Sequence, residues 1–247
     1  MLNASWIITV ALTLQSPAAP APPPESAVWT DDRPLTRLLP NLQRDLVALP
    51  QPGTFAIVGA GALGAGVARP SDRSLARWVA RAGESRAYTP IGSLLGNEWI
   101  QGGAAIATYW IGSVQDSPEL THIGGDLIRA QMLNGVMTVG VKLAAARTRP
   151  SGGDHSFPSG HTSSTFASAT VLAEHYGWKV AVPAYAFAGF IGWTRIRDRE
   201  HWLSDVVFGS AIGFAAGRTV TLGHGRSTWS IAPTLAPGGV GIYVMRQ

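Results

Sequence analysis

Residues 142–176 read KLAAARTRPSGGDHSFPSGHTSSTFASATVLAEHY. An apolar, small-residue block enters this segment from Leu127 and stops at Arg149-Pro150, because proline disfavours helical geometry in the residue before it. A polar loop follows, and Ser159 stands as a natural N-cap before a second apolar block, Thr162–Tyr176. Working outward, further Gly/Ala-rich apolar blocks lie at Thr54–Ala68, Trp99–Val114, Val180–Trp193 and Val206–Val220. Such blocks predict helices that pack through small faces. With Leu127–Ala146 they make an expected all-α bundle of about six core helices.

Composition bounds the chemistry. Of 247 residues, 46% are hydrophobic and 14% charged, with a mean hydropathy of +0.13. Average soluble domains carry roughly 25% charged residues, so a membrane-associated bundle and a small-residue globular core both fit, and disorder does not. The absence of cysteine excludes disulfides, thiolate metal sites and cysteine nucleophiles. The net charge is +4, carried by arginines apart from Lys142 and Lys179. Without a dense basic run interleaved with aromatics, a local anionic ligand is a better use of this charge than nucleic acid. No protein partner is readable.

Residues 1–21 resemble a signal peptide: an uncharged apolar stretch from Trp6 to Leu14, then small residues. That stretch is too short to span a bilayer. Residues 22–53 read as a Pro-rich linker followed by leucines at helical spacing, which Pro40 divides into two short helices. Residues 54–220 form the helical domain, and 221–247 a tail in which Trp229–Leu235 and Val240–Val244 alternate as a β-hairpin does. Several blocks fall short of a clean span, and Arg129, Asn134 and Lys142 interrupt the longest. Integral, attached and soluble forms all remain open. Ser71–Ala82 is amphipathic, with Arg73, Arg77 and Arg81 on one side, as a solvated face or a helix lying on an anionic membrane would be.

Gly59-x-Gly61-x-x-Gly64 matches a dinucleotide-binding pattern, but that pattern needs a preceding strand and a sustained helix, and Pro70 ends this segment early. Gly66 extends it as a small packing face.

Three segments carry reactive side chains. Lys142-x6-Arg149-Pro150 places two cations almost two turns apart, on one face of one helix near its C-terminus. A basic last turn complementing the helix dipole would look the same. Pro158-Ser159-Gly160-His161 opens a helix whose free N–H groups suit an anion, or is an ordinary cap beside an exposed histidine. In Arg195-x5-His201-x3-Asp205 the carboxylate can fix the imidazole tautomer from i+4, or the pair is a plain surface contact. Taken together, three cations, an amide nest and two histidines are parts for holding and attacking a tetrahedral oxyanion without a metal. No P-loop and no dense His/Asp spacing competes with them.

This ordered triplet resembles the phosphatidic acid phosphatase type 2 / vanadium-dependent haloperoxidase superfamily, over about residues 54–220. One position departs from the family's pattern: Thr194 stands where serine is usual before Arg195, and the hydroxyl is kept. The resemblance implies a helical bundle with the site at one end. It implies that Lys142, Arg149 and Arg195 bind phosphate oxygens, with Ser159 and Gly160 adding hydrogen bonds. It further implies that His201 is the nucleophile, oriented by Asp205, and that His161 protonates the leaving oxygen. The expected activity is that of the family's bacterial membrane-associated lipid phosphatases: hydrolysis of a phosphate or diphosphate ester through a phosphohistidine, without cofactor or metal. Vanadate is expected to act as inhibitor or phosphate mimic. The expected location is the cell membrane with a periplasm-facing site. The alternatives are a soluble periplasmic acid phosphatase, a vanadate-dependent haloperoxidase, and a helical membrane protein with relic motifs.

Overall fold

A computed structural model describes residues 35–82, 89–221, 229–236 and 239–246; the signal-like segment and the proline-rich stretch lie outside them. After a 3₁₀ turn at Leu35–Arg37 come α1 (Leu38–Ala48), α2 (Pro52–Ala68), α3 (Asp72–Arg81), α4 (Thr89–Leu95), α5 (Glu98–Val114) and α6 (Pro118–Ala145). They are followed by α7 (Gly160–Tyr176), α8 (Trp178–Arg197) and α9 (Leu203–Thr221). Strands β1 (Trp229–Ala236) and β2 (Gly239–Arg246) pair as an antiparallel hairpin.

The fold is all-α, and its six helices of 17 residues or more are the six expected blocks. Their bounds differ where polar residues are buried. α6 begins at Pro118, nine residues before the apolar block, because Thr121, His122 and Asp126 go inside with the core. Pro40 does not divide α1: it sits in the first turn, where its missing N–H costs no intrahelical bond.

α9 is the central element, packing on α2, α6 and α7, while α5 packs on α6 and α8 on α7. The main core joins Ile123, Leu127 and Leu133 of α6 with Val171 of α7 and Val220 of α9. Close approach requires glycine at Gly213, where a β-carbon would lie 2.1 Å from the Ser163 carbonyl oxygen of α7. The dinucleotide-like glycines sit inside α2: Gly61 and Gly64 meet Ala211 and Val207 of α9, whereas Gly66 faces open space and does not extend the packing face.

The chain direction sets where the site forms. α6 and α8 end, and α5, α7 and α9 begin, at one end of the bundle. Large apolar side chains are exposed along the outside, among them Leu63, Val67, Trp99, Trp110 and Trp178. Among the described residues no single helix is long and apolar enough to cross a membrane; the bent pair Leu35–Ala48 and Pro52–Arg81 passes on length and composition.

Candidate active site

α6 stops at Ala145, and Ala146 takes the left-handed conformation (φ 43°) that ends helices. Arg149 therefore lies in the loop beyond, not one face along from Lys142 on a shared helix, because the turn at Ala146 precedes Pro150 by four residues. The loop returns to the bundle through Lys142. Its ammonium donates to the carbonyls of His155 (2.9 Å) and Pro158 (2.7 Å). Burial, then the nearby Arg149, pulls the Lys142 pKa down, and Glu98 and Asp205 oppose that. Arg149 donates through Nε to the Asp154 carbonyl (3.0 Å) and pairs with Glu200.

Ser159 caps α7, its Oγ accepting from the Thr162 backbone N–H, and its own N–H donates to the Asp205 carbonyl (3.1 Å). That bond ties the start of α7 to the first turn of α9. Gly160 is bare on the side that faces α5: a β-carbon there would fall 2.0 Å from Glu98 Oε1 and 3.8 Å from Lys142 Cε.

His201 is not on the helix with Asp205. It precedes α9, whose first turn holds Asp205, because Asp205 Oδ2 reaches back to accept the Trp202 N–H (2.8 Å) as a capping acid does. The carboxylate is also not the partner of the imidazole proton. His201 Nδ1 is 2.6 Å from the Ser156 carbonyl and 3.7 Å from Asp205 Oδ2. A carbonyl can only accept, so Nδ1 carries the proton and Nε2 the lone pair. Burial pushes the His201 pKa down, although Asp205 pulls the other way. Burial pushes the Asp205 carboxyl up, but the nearby His201 ring, hydrogen bonds from Ser156 and the Trp202 N–H, and the Arg147 charge bring it below the ordinary range.

Arg195, near the end of α8, donates to Ser93 Oγ (2.6 Å) and pairs with Asp198. Its Nε is buried without a hydrogen-bond partner among the described residues, a donor that an oxyanion would satisfy. Burial lowers its pKa, yet a guanidinium stays charged. His161, in the first turn of α7, has Nε2 3.2 Å from the Ser93 carbonyl and Nδ1 3.6 Å from Glu98 Oε2.

All eight sequence-selected residues thus gather at this end of the bundle. Sequence reasoning missed their supports. Arg147 donates to Asp205 Oδ1 (2.6 Å) and to Asp72 Oδ2 (2.7 Å), spanning α9 and α3. Ser156 holds both Asp205 and the imidazole; Ser93, Glu98 and Glu200 flank the cations. Only Arg147 left a trace in the sequence, as a second arginine two residues before Arg149. A further departure lies far from this end: His122, Asp126 and His175 bring ligand-type atoms within 4.8 Å of one another, His122-x3-Asp126 as a local i, i+4 pair on α6 and His175 joining it from α7. Arg129 takes the other Asp126 oxygen and also pairs with Asp45 of α1, so this cluster is an ionic tie through the core.

Residues 142–229 match the family model of the PAP2 superfamily. That matched stretch runs from Lys142 past Asp205 and so holds all three motifs. It is 38% identical over 96 residues to a lipid A 1-phosphatase of Porphyromonas gingivalis, covering 37% of this chain and 21% of that protein. It is 29% identical over 79 residues to a lipid A 4'-phosphatase of Helicobacter pylori, covering 32% and 40%. The chain thus spans well under half the length of these curated relatives. Among solved structures it resembles Aquifex aeolicus LpxE, with a TM-score of 0.51 at 23% identity, over 60% of this chain and 93% of that one. That likeness concerns the fold.

Proposed function

We propose that this protein is a lipid phosphatase that hydrolyses a phosphate or diphosphate ester through a phosphohistidine. One observation carries the reading: His201 is held by the Ser156 carbonyl so that its lone pair sits on Nε2, beside a cluster of three cations and the start of α7. Nε2 attacks phosphorus as the bond to the leaving oxygen breaks, and His161 protonates that oxygen. Water, deprotonated by His161, then attacks the phosphohistidine and releases phosphate, restoring both histidines. Lys142, Arg149 and Arg195 neutralise the non-bridging oxygens, and the Gly160 end of α7 adds backbone donors. The positive charge is supplied by side chains, so turnover is expected to survive chelation. Vanadate is expected to compete with substrate as a five-coordinate mimic.

The lipid class rests on the relatives' named substrates and on the exposed apolar side chains of the bundle. Attachment to the membrane, with the site on the periplasmic side, follows from the same reading. Rapid quenching with a ³²P-labelled lipid phosphate should yield an acid-labile, base-stable phosphoprotein, absent from His201→Ala. Label on another residue, or hydrolysis that requires an added divalent ion, would overturn this mechanism.

A further inference from the structure

Glu98 is the first residue of α5, and its position is tightly set. Asn97 caps the helix by accepting the Trp99 N–H (2.9 Å). Gly96 lets the turn before it lie against α7 and α8: a β-carbon there would meet Ile191 at 2.4 Å and His161 Cβ at 3.2 Å. Gln101, one turn on, donates to the Leu95 carbonyl (2.7 Å) and accepts from Ser168 of α7 (2.7 Å). These contacts deliver the carboxylate onto Gly160 and to 3.6 Å from His161 Nδ1.

The other nitrogen of His161 fixes what this proximity means. Nε2 faces the Ser93 carbonyl, which only accepts, so Nε2 carries a proton. In the neutral ring the Nδ1 lone pair would then point at a carboxylate. A proton on Nδ1 turns that repulsion into an ion pair. Both ring nitrogens therefore face acceptors, an arrangement that suits imidazolium.

We propose that Glu98 is a positioning residue that favours the Nδ1 proton on His161, the proton the leaving oxygen takes up, and that it gives up its place on Gly160 when the phosphate ester enters. The proposal rests on the phosphatase reading above. The carboxylate is the kind of anion that the cradle of Lys142, the Gly160 end of α7 and Arg195 would accept, and Glu98 is about half exposed, so it can swing aside. His161 then transfers the Nδ1 proton to the bridging oxygen as the P–O bond breaks. Other groups act on His161 as well. Burial pushes its pKa down, Glu98 opposes this most strongly, Arg195 and His201 deepen it, and the Ser93 carbonyl offsets part. Without Glu98 the imidazolium has no carboxylate to hold it.

The test compares wild type, Glu98→Gln and Glu98→Asp on an alkyl phosphate and on p-nitrophenyl phosphate across pH. The alkoxide needs a proton to leave, whereas p-nitrophenolate does not. Glu98→Gln should lower the ratio of alkyl to p-nitrophenyl turnover at least about tenfold at neutral pH. It should also move the basic limb of the alkyl profile down by about one pH unit, since an opposite charge this close raises a pKa by about that much. Glu98→Asp should recover part of both. If Glu98 is only a competitor for the anion seat, Glu98→Gln will lower KM and leave the limb in place, and the proposal fails. Equal losses on both substrates, with no shift, would also overturn it and mark a folding role. Absence of any wild-type hydrolysis would sink the phosphatase reading itself; a labelled His201 with an unmoved limb would sink only this one.

Discussion

Arg195 differs from the other cations of the cradle in having a buried donor without a partner. Its Nη2 is engaged by Ser93 and Asp198, while Nε has no acceptor among the described residues. A buried N–H left unpaired is costly, and charge redistributing over phosphate oxygens in the transition state would satisfy it. Arg195→Ala is therefore expected to reduce kcat by roughly 10²–10³-fold while KM changes far less. Steady-state kinetics on a single lipid phosphate decide this. A rise in KM with normal kcat would make Arg195 a ground-state binder. Arg149 should show a milder version, because it sits a third exposed in the loop and is anchored by Glu200. The expectation that it shares a helix face with Lys142 fails for a reason at this same scale. One alanine, Ala146, turns left-handed.

At the scale of elements, the six long helices could be read from the sequence because each is a run of small and apolar residues bounded by proline, serine or glycine. Apart from Arg149 in its loop, the motif residues could be read because they sit at or beside helix ends, where capping chemistry is local. What could not be read are the ties between elements. Asp72 on α3 accepts the Ser204 N–H (2.9 Å) of α9 and the Arg147 guanidinium, and Arg147 in turn holds Asp205. The three residues are separated by 58 to 133 positions (72, 147 and 205), so no periodicity could join them. Arg147→Ala leaves two buried carboxylates without their cation, and breaking a buried pair of this kind costs about 3–5 kcal/mol. A much smaller drop in unfolding free energy by chemical denaturation would show that the tie is solvent-screened. The α7–α9 contact gives an independent prediction. Gly213→Ala drives a methyl group into the Ser163 carbonyl, two backbones that cannot both stay put, and should cost about 1–3 kcal/mol with little change in KM. Stability equal to wild type would mean that the helices slide apart freely.

The whole molecule concentrates buried ionisable groups at one end, and this sets how its stability depends on pH. His201 and His161 have pKa values below the ordinary imidazole value of about 6.5, chiefly through burial. Between that value and their own lower ones, the unfolded chain holds protons on these rings that the folded chain does not. Stability therefore falls as pH drops through this window, by up to about 1.4 kcal/mol per pH unit for each histidine that stays neutral. Asp205 acts in the same direction further down. Its folded pKa lies below the ordinary carboxyl range, so the stability it contributes is present above about pH 3.9 and is lost as pH falls through its folded value. The two regions predict a two-stage decline in the thermal midpoint, one stage beginning near pH 6.5 and a steeper one below about pH 4. Measured in one buffer system, His201→Asn should shrink the first stage to the part His161 carries and leave the second, because one of the two rings is gone while Asp205 keeps Ser156, Trp202 N–H and Arg147. A midpoint that is level from pH 7 to pH 5 in wild type would show that both rings take up protons in the fold, and that this end of the bundle is wetter than its burial implies.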